Sequence, residues 1–227
     1  MCGRYASSRE DADFAHYFDA TVWDDPPAPS WNIAPTDPGR VVIERDGDRQ
    51  LRTMRWGLVP IWSTDRSGAA RLINARAETV TQKPAFRDAA ARRRCLVPAD
   101  GYYEWQPTTT GKVPQFLHSD GVLAFAGLFE RWRNPDLPDD DPDRWLVTYT
   151  IVTRAASDAL GHIHDRSPVI VPPDMYADWL DATETDLDTV RGMLAAMPAP
   201  HLAVREVSSA VNSVRNNGPH LIEAVTA

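Results

Sequence analysis

The chain has 227 residues, 43% of them hydrophobic and 25% charged, with a formal net charge of −8. Those proportions exclude a disordered or fibrous chain, and the length gives room for a real core in a single domain over 1–227. The longest nearly unbroken apolar run, Val122 to Phe129, falls far short of the roughly 18 residues a bilayer span needs; with a polar amino terminus and two cysteines, neither a membrane nor a secretory leader is expected, and the expected compartment is cytoplasmic and nucleoid-associated.

In chain order, the first signal is Ser7-x-x-Glu10, which has the form of a helix-capping box, followed by Phe14, Tyr17 and Phe18 at helical spacing. Extended runs at 41–43 and 51–56 flank Asp46-Gly47-Asp48, the pattern of a hairpin. Residues 72–78 also read as extended. Pro84 opens a short helix through Ala91. Further extended runs follow at 95–98, 101–105, 114–117, 122–129 and 145–153, with a solvated acidic loop over 134–143. Another is expected at 169–171, then helices over 173–180 and 183–196, the second with Leu187, Val190 and Leu194 on one face, and a last strand at 203–207. Successive strands without regular intervening helices predict an α+β fold, mainly antiparallel, in a barrel-like or two-sheet core with a few peripheral helices.

The acid is unevenly placed. Residues 134–145 sum to −4 and residues 174–188 to −6, whereas residues 71–105 sum to +3. A basic face is therefore compatible with the acidic total, and a nucleic-acid partner is not excluded.

Four places carry residues suited to chemistry. Removal of Met1 would leave Cys2 with a free α-amine and a thiol on adjacent carbons, groups whose reference pKa values are about 7.7–8 and about 8.5. The amine condenses with an aldehyde to an imine, and the thiol can close on the imine carbon as a five-membered thiazolidine, an intramolecular step. From position alone the plainer reading is that Cys2 is an incidental second residue; Cys95 reads as a buried strand residue. In 72–78, strand alternation puts Asn74, Arg76 and Glu78 on one face, either solvent or a site. Glu104 lies among aromatics in Gly101-Tyr102-Tyr103-Glu104-Trp105, where desolvation would raise its pKa toward acid–base use; the alternative is a rim carboxylate paired with an arginine. His162, His164 and Arg166 would share a face if extended, with His164 a natural proton shuttle or phosphate-oxygen donor. His-x-His raises a zinc reading, but there is no Cys-x-x-Cys spacing to complete it, and no metal is expected.

These elements sit in a recognisable order: Met1-Cys2-Gly3-Arg4-Tyr5, Trp31-Asn32-Ile33-Ala34-Pro35-Thr36, Trp56-Gly57-Leu58-Val59-Pro60-x-Trp62, Asn74-Ala75-Arg76-x-Glu78-Thr79, the block from Cys95 to Trp105, and Ile163-His164-Asp165-Arg166-x-Pro168. Over about residues 2–222 the chain resembles the SOS-response-associated peptidase family, the abasic-site processing proteins, and Val211-Asn212 to Gly218 resembles that family's C-terminal segment. The resemblance implies a protein that senses abasic sites in single-stranded DNA. It would link its N-terminal Cys2 to the ring-opened sugar as a thiazolidine, shielding the lesion, with self-processing peptidase and lyase activities alongside. It further implies that Asn74 positions Cys2 and the sugar, that Glu104 moves protons, that His164 bonds the sugar or its phosphate, that Arg4, Arg76 and Arg166 contact phosphates, and that Trp62 stacks on a base. No organic cofactor is implied. The implied partner is single-stranded DNA containing abasic sites, with replication-fork proteins as further candidates, no membrane, and a monomeric state. Two other classes stay open: a peptidase with Cys2 as N-terminal nucleophile, and a noncatalytic single-strand-binding module.

Overall fold

The computed structural model describes residues 2–156 and 163–225. His162 and Met1 lie outside the described residues. The strands in chain order are β1 (Tyr5–Ser7), β2 (Ala20–Val22), β3 (Ser30–Ile33), β4 (Pro38–Arg45), β5 (Asp48–Trp56), β6 (Asn74–Arg76), β7 (Arg94–Thr108), β8 (Gly111–Arg133), β9 (Trp145–Ala155), β10 (Arg166–Pro168) and β11 (Ala203–Glu206). Eight of the eleven strand pairings among the described residues are antiparallel. Five strands close a ring: β4 pairs β5, β5 pairs β9, β9 pairs β8, β8 pairs β7 and β7 returns to β4 through Leu96 and Val42. The expected α+β class with a barrel-like core is the observed one.

Alternation along these strands explains why they read as nearly continuous apolar runs: both faces are buried. Val41 and Ile43, Met54 and Trp56, Cys95 and Val97, Leu123 and Phe125, and Tyr149 and Ile151 fill the barrel. Their neighbours Val42, Leu51, Leu96, Ala124 and Val152 face outward under the helical layer, where Phe14, Phe18, Ala90, Trp179, Val190 and Leu194 pack. That layer comes from helices Asp11–Phe18, Arg87–Arg92, Tyr176–Leu180 and Leu187–Ala196. The last is capped by Asp186, whose side chain accepts from the backbone N–H groups of Asp188 and Thr189. The hairpin between β4 and β5 turns on Asp46 and Gly47, both at positive φ (56° and 87°), as a two-residue primed turn requires.

Five local expectations are corrected. Ser7 caps no helix: pairing of β1 with β3 and β7 draws it into the sheet, and the first helix starts at Asp11 without a side-chain cap bond. The runs 95–98 and 101–105 are one strand with a register shift at Ala99/Gly101, and 114–117 and 122–129 are likewise one strand. The strand expected at 169–171 is Arg166–Pro168 instead, because Arg166 to Pro168 find ladder partners on β9, while Ile170 makes an isolated bridge to Phe125. The run 72–78 contributes strand over Asn74–Arg76 alone. No helix among the described residues is long and apolar enough to cross a membrane.

Candidate functional site

Cys2 leads into β1, and its side chain is fully buried in the barrel cluster with Tyr5, Tyr102 and Tyr149. Burial pushes its thiol well above the ordinary range, and the negative charge of Glu104 adds to the rise. The amide of Asn74 donates from Nδ2 to the Cys2 carbonyl at 2.8 Å, across 72 residues of sequence. Asn74 is held there because β6 lies parallel to β9, with Asn74 opposite Ile151. Its Oδ1 is buried and accepts no hydrogen bond among the described residues, which leaves an acceptor available beside Cys2.

A second tie fixes the same backbone. The Tyr5 and Tyr149 hydroxyls meet at 2.5 Å inside the barrel and join β1, into which Cys2 leads, to the strand that seats Asn74. Gly39 makes the space: a Cβ there would collide with both hydroxyl oxygens. Sequence reasoning did not single out Tyr149 or Gly39, since neither lies in a polar pattern.

Glu104, on β7, is 4% exposed. Desolvation raises its pKa to about 7, so protonated and ionised forms coexist near neutrality. His164 lies in the same neighbourhood, because the charges of Asp165 and Lys112 act on both groups. Burial lowers the His164 pKa and favours the neutral ring. Its Nδ1 lies 3.0 Å from the Arg166 backbone N–H, which it accepts in the Nε2–H tautomer, and 2.8 Å from an Asp165 carboxylate oxygen, to which it donates in the Nδ1–H form. Lys112, near the tip of the β7–β8 hairpin, was missed from sequence: a lone exposed lysine carries no signal until the hairpin brings it to the site.

The four DNA-contact candidates divide into two pairs. Arg76 is exposed and has no carboxylate partner among the described residues, and Trp62 is 64% exposed. Arg166 instead forms a two-pronged pair with Glu78, at 2.7 and 2.9 Å, and also donates to the Thr153 carbonyl. That guanidinium pulls the Glu78 pKa down to about 2. Arg4 donates to Asn32 Oδ1 at 2.7 Å and to the Val211 carbonyl at 2.8 Å, and it lies over the Trp105 ring. Asn32 in turn donates to the carbonyls of Ser213 and Asn216, and Trp105 donates to Asn212. The Trp31-Asn32 block and the C-terminal block are thus one clamp behind Arg4, a pairing that linear sequence could not reveal. No cluster of three metal-ligating side chains occurs among the described residues.

Comparison with known proteins points in one direction. A family model described as SOS response associated peptidase (SRAP) matches residues 1–214. The abasic site processing protein YoqW of Bacillus subtilis is 37% identical over 229 residues, covering 99% of this chain and all of the relative. The abasic site processing protein YedK of Escherichia coli is 30% identical, with 99% of this chain and all of the relative covered. Among solved structures, one from Bordetella bronchiseptica is similar at a TM-score of 0.74 and 27% identity, covering 91% of this chain and 100% of that one. Another, from Bacteroides thetaiotaomicron, shares the fold at a TM-score of 0.84 and 19% identity, covering 99% and 100% of the two chains.

Proposed function

The chain belongs to the SOS response associated peptidase family, and from that premise and the site geometry we propose that it captures abasic sites in single-stranded DNA as a covalent adduct on Cys2. The reading requires Cys2 to be the first residue of the mature chain, with a free α-amine. The observation that carries it is the grip of Asn74 on the Cys2 carbonyl, beside a carboxyl group titrating near neutrality whose charge acts on the Cys2 thiol.

The neutral amine adds to the sugar aldehyde, and a proton passes from nitrogen to oxygen to give a carbinolamine. Protonated Glu104 supplies the proton with which the hydroxyl leaves as water, and the C=N bond forms. Carboxylate Glu104 then takes the thiol proton as sulfur adds to the imine carbon, and the ring nitrogen ends as N–H. A pKa of about 7 suits one group to both steps. A buried thiol has little thiolate of its own, so this proton acceptor is needed. Asn74 positions the residue, and its unused Oδ1 is available to a sugar hydroxyl. In its Nε2–H tautomer His164 donates to the sugar or the adjacent phosphate. Arg76 and Trp62 make the outer contacts to phosphate and base, whereas Arg4 and Arg166 reach phosphate by exchanging their present partners.

Intact-mass measurement after incubation with an abasic single-stranded oligonucleotide tests the reading. The expected species has the mass of the protein without Met1 plus the oligonucleotide, less one water. A noncovalent complex with no such species would overturn it.

A further inference from the structure

The barrel has a second mouth, at the end away from Cys2, and we infer that it is a docking site for an acidic peptide segment bearing one large apolar residue. The inward-facing rows of four strands run out of the barrel there. On β4 the row is Val41, Ile43, Arg45; on β5 it is Trp56, Met54, Arg52; on β8 it is Phe125, Gly127, Phe129, Arg131; on β9 it is Tyr149, Val147, Trp145. In each row the penultimate residue is apolar and the last is an arginine or a tryptophan. Ile43, Met54, Phe129 and Val147 therefore floor a well that Arg45, Arg52, Arg131 and Trp145 rim. Trp145 lies six residues from Ile151 along β9, about 20 Å at ~3.3 Å per residue, and Ile151 is opposite Asn74. The well is thus separate from the candidate active site.

Charge and chemistry select the occupant. Of the arginines lining the well, Arg52 is paired with Asp24 at 2.9 Å and Arg45 lies 3.4 Å from Asp46. Arg131 is stacked 4.1 Å from the Trp145 ring, and Arg55 donates to the Thr36 carbonyl; neither has a carboxylate partner among the described residues. The lining carries four arginines against two carboxylates, Asp24 held by Arg52 and Glu44 by Arg49, so its rim is net positive and complements carboxylates flanking an apolar side chain. A nucleobase fits less well, because the floor offers aliphatic, thioether and phenyl groups and would leave the hydrogen-bonding edges of a base unpaired. An apolar side chain incurs no such cost, and a methionine in the floor adapts to its shape.

The test is fluorescence anisotropy with a labelled peptide made of aspartates followed by a terminal phenylalanine. The expected result is saturable binding that weakens by about tenfold or more in Arg131→Glu and in Trp145→Ala, both exposed positions. Replacing the peptide's phenylalanine by serine, or its aspartates by asparagine, should weaken binding to the unaltered protein as much. Absence of binding, equal affinity in Arg131→Glu, or displacement of the peptide by an oligothymidylate of equal charge would overturn the inference.

Discussion

At Glu104 the pH dependence of folding and that of chemistry have one source. Burial lifts its pKa from 4.5 to about 7, so the native state keeps a proton that the unfolded chain has released. Stability therefore falls as pH rises through that window. Glu104→Gln removes the penalty: its melting temperature should exceed the parent's at about pH 8 and approach it near pH 4. The same variant should lose any inflection near neutrality in the adduct rate. Glu78 has the opposite sign. Arg166 holds its pKa at about 2, so its contribution is present above 4.5 and is lost as pH falls toward 2. Half of its side chain is solvent-exposed, so the effect is small, but Arg166→Ala should flatten the acid limb of a melting-temperature profile. Cys2→Ser retains the amine and loses the thiol, so a borohydride-trappable imine should persist while the heat-stable adduct disappears.

Among the structural elements, β1 and β9 act together through the Tyr5–Tyr149 bond. Tyr149→Phe leaves the Tyr5 hydroxyl buried without its partner, at a cost of about 1–3 kcal/mol. It should also slow adduct formation, since the strand that follows Cys2 loses a tether. Rescue of stability but not of rate by the double variant Tyr5→Phe/Tyr149→Phe would identify the bond as a positioning device. These ties also mark the limit of what sequence reveals. The apolar runs at 41–43, 95–98 and 122–129 exposed the barrel strands because both faces are buried. By contrast, Asp100-Gly101 and Ser119-Asp120-Gly121 look like turns and hid two long strands, since they are irregularities within a continuing ladder. β1, β2 and β3 are too short to show a period, and Ser7 followed by Glu10 imitated a cap that the sheet overrides. Asn74 and Glu104 were legible because a polar residue in an extended apolar setting needs a reason. The Asn32 clamp was not, because its partners lie about 180 residues away.

For the molecule as a whole, a net charge of −8 gives no overall attraction to a polyanion, so DNA contacts depend on local arginines. Arg76, exposed and unpaired with any carboxylate among the described residues, should contribute one phosphate contact. Arg76→Ala should flatten the slope of log K against log salt for single-stranded DNA by roughly 0.7. Arg166→Ala should move that slope less, because Glu78 competes for its guanidinium. Both slopes are read by titrating a fluorescent abasic analogue that cannot open to the aldehyde.

The central claim is that both nucleophiles of Cys2 bond to one sugar carbon. Nuclease digestion of the adduct, alkylation with iodoacetamide and peptide mapping test it directly. The account predicts a sugar remnant on the peptide beginning Cys2-Gly3-Arg4, with its sulfur protected from alkylation and its amine blocked. A remnant on a lysine, or on Cys2 with the sulfur still alkylated, would contradict it.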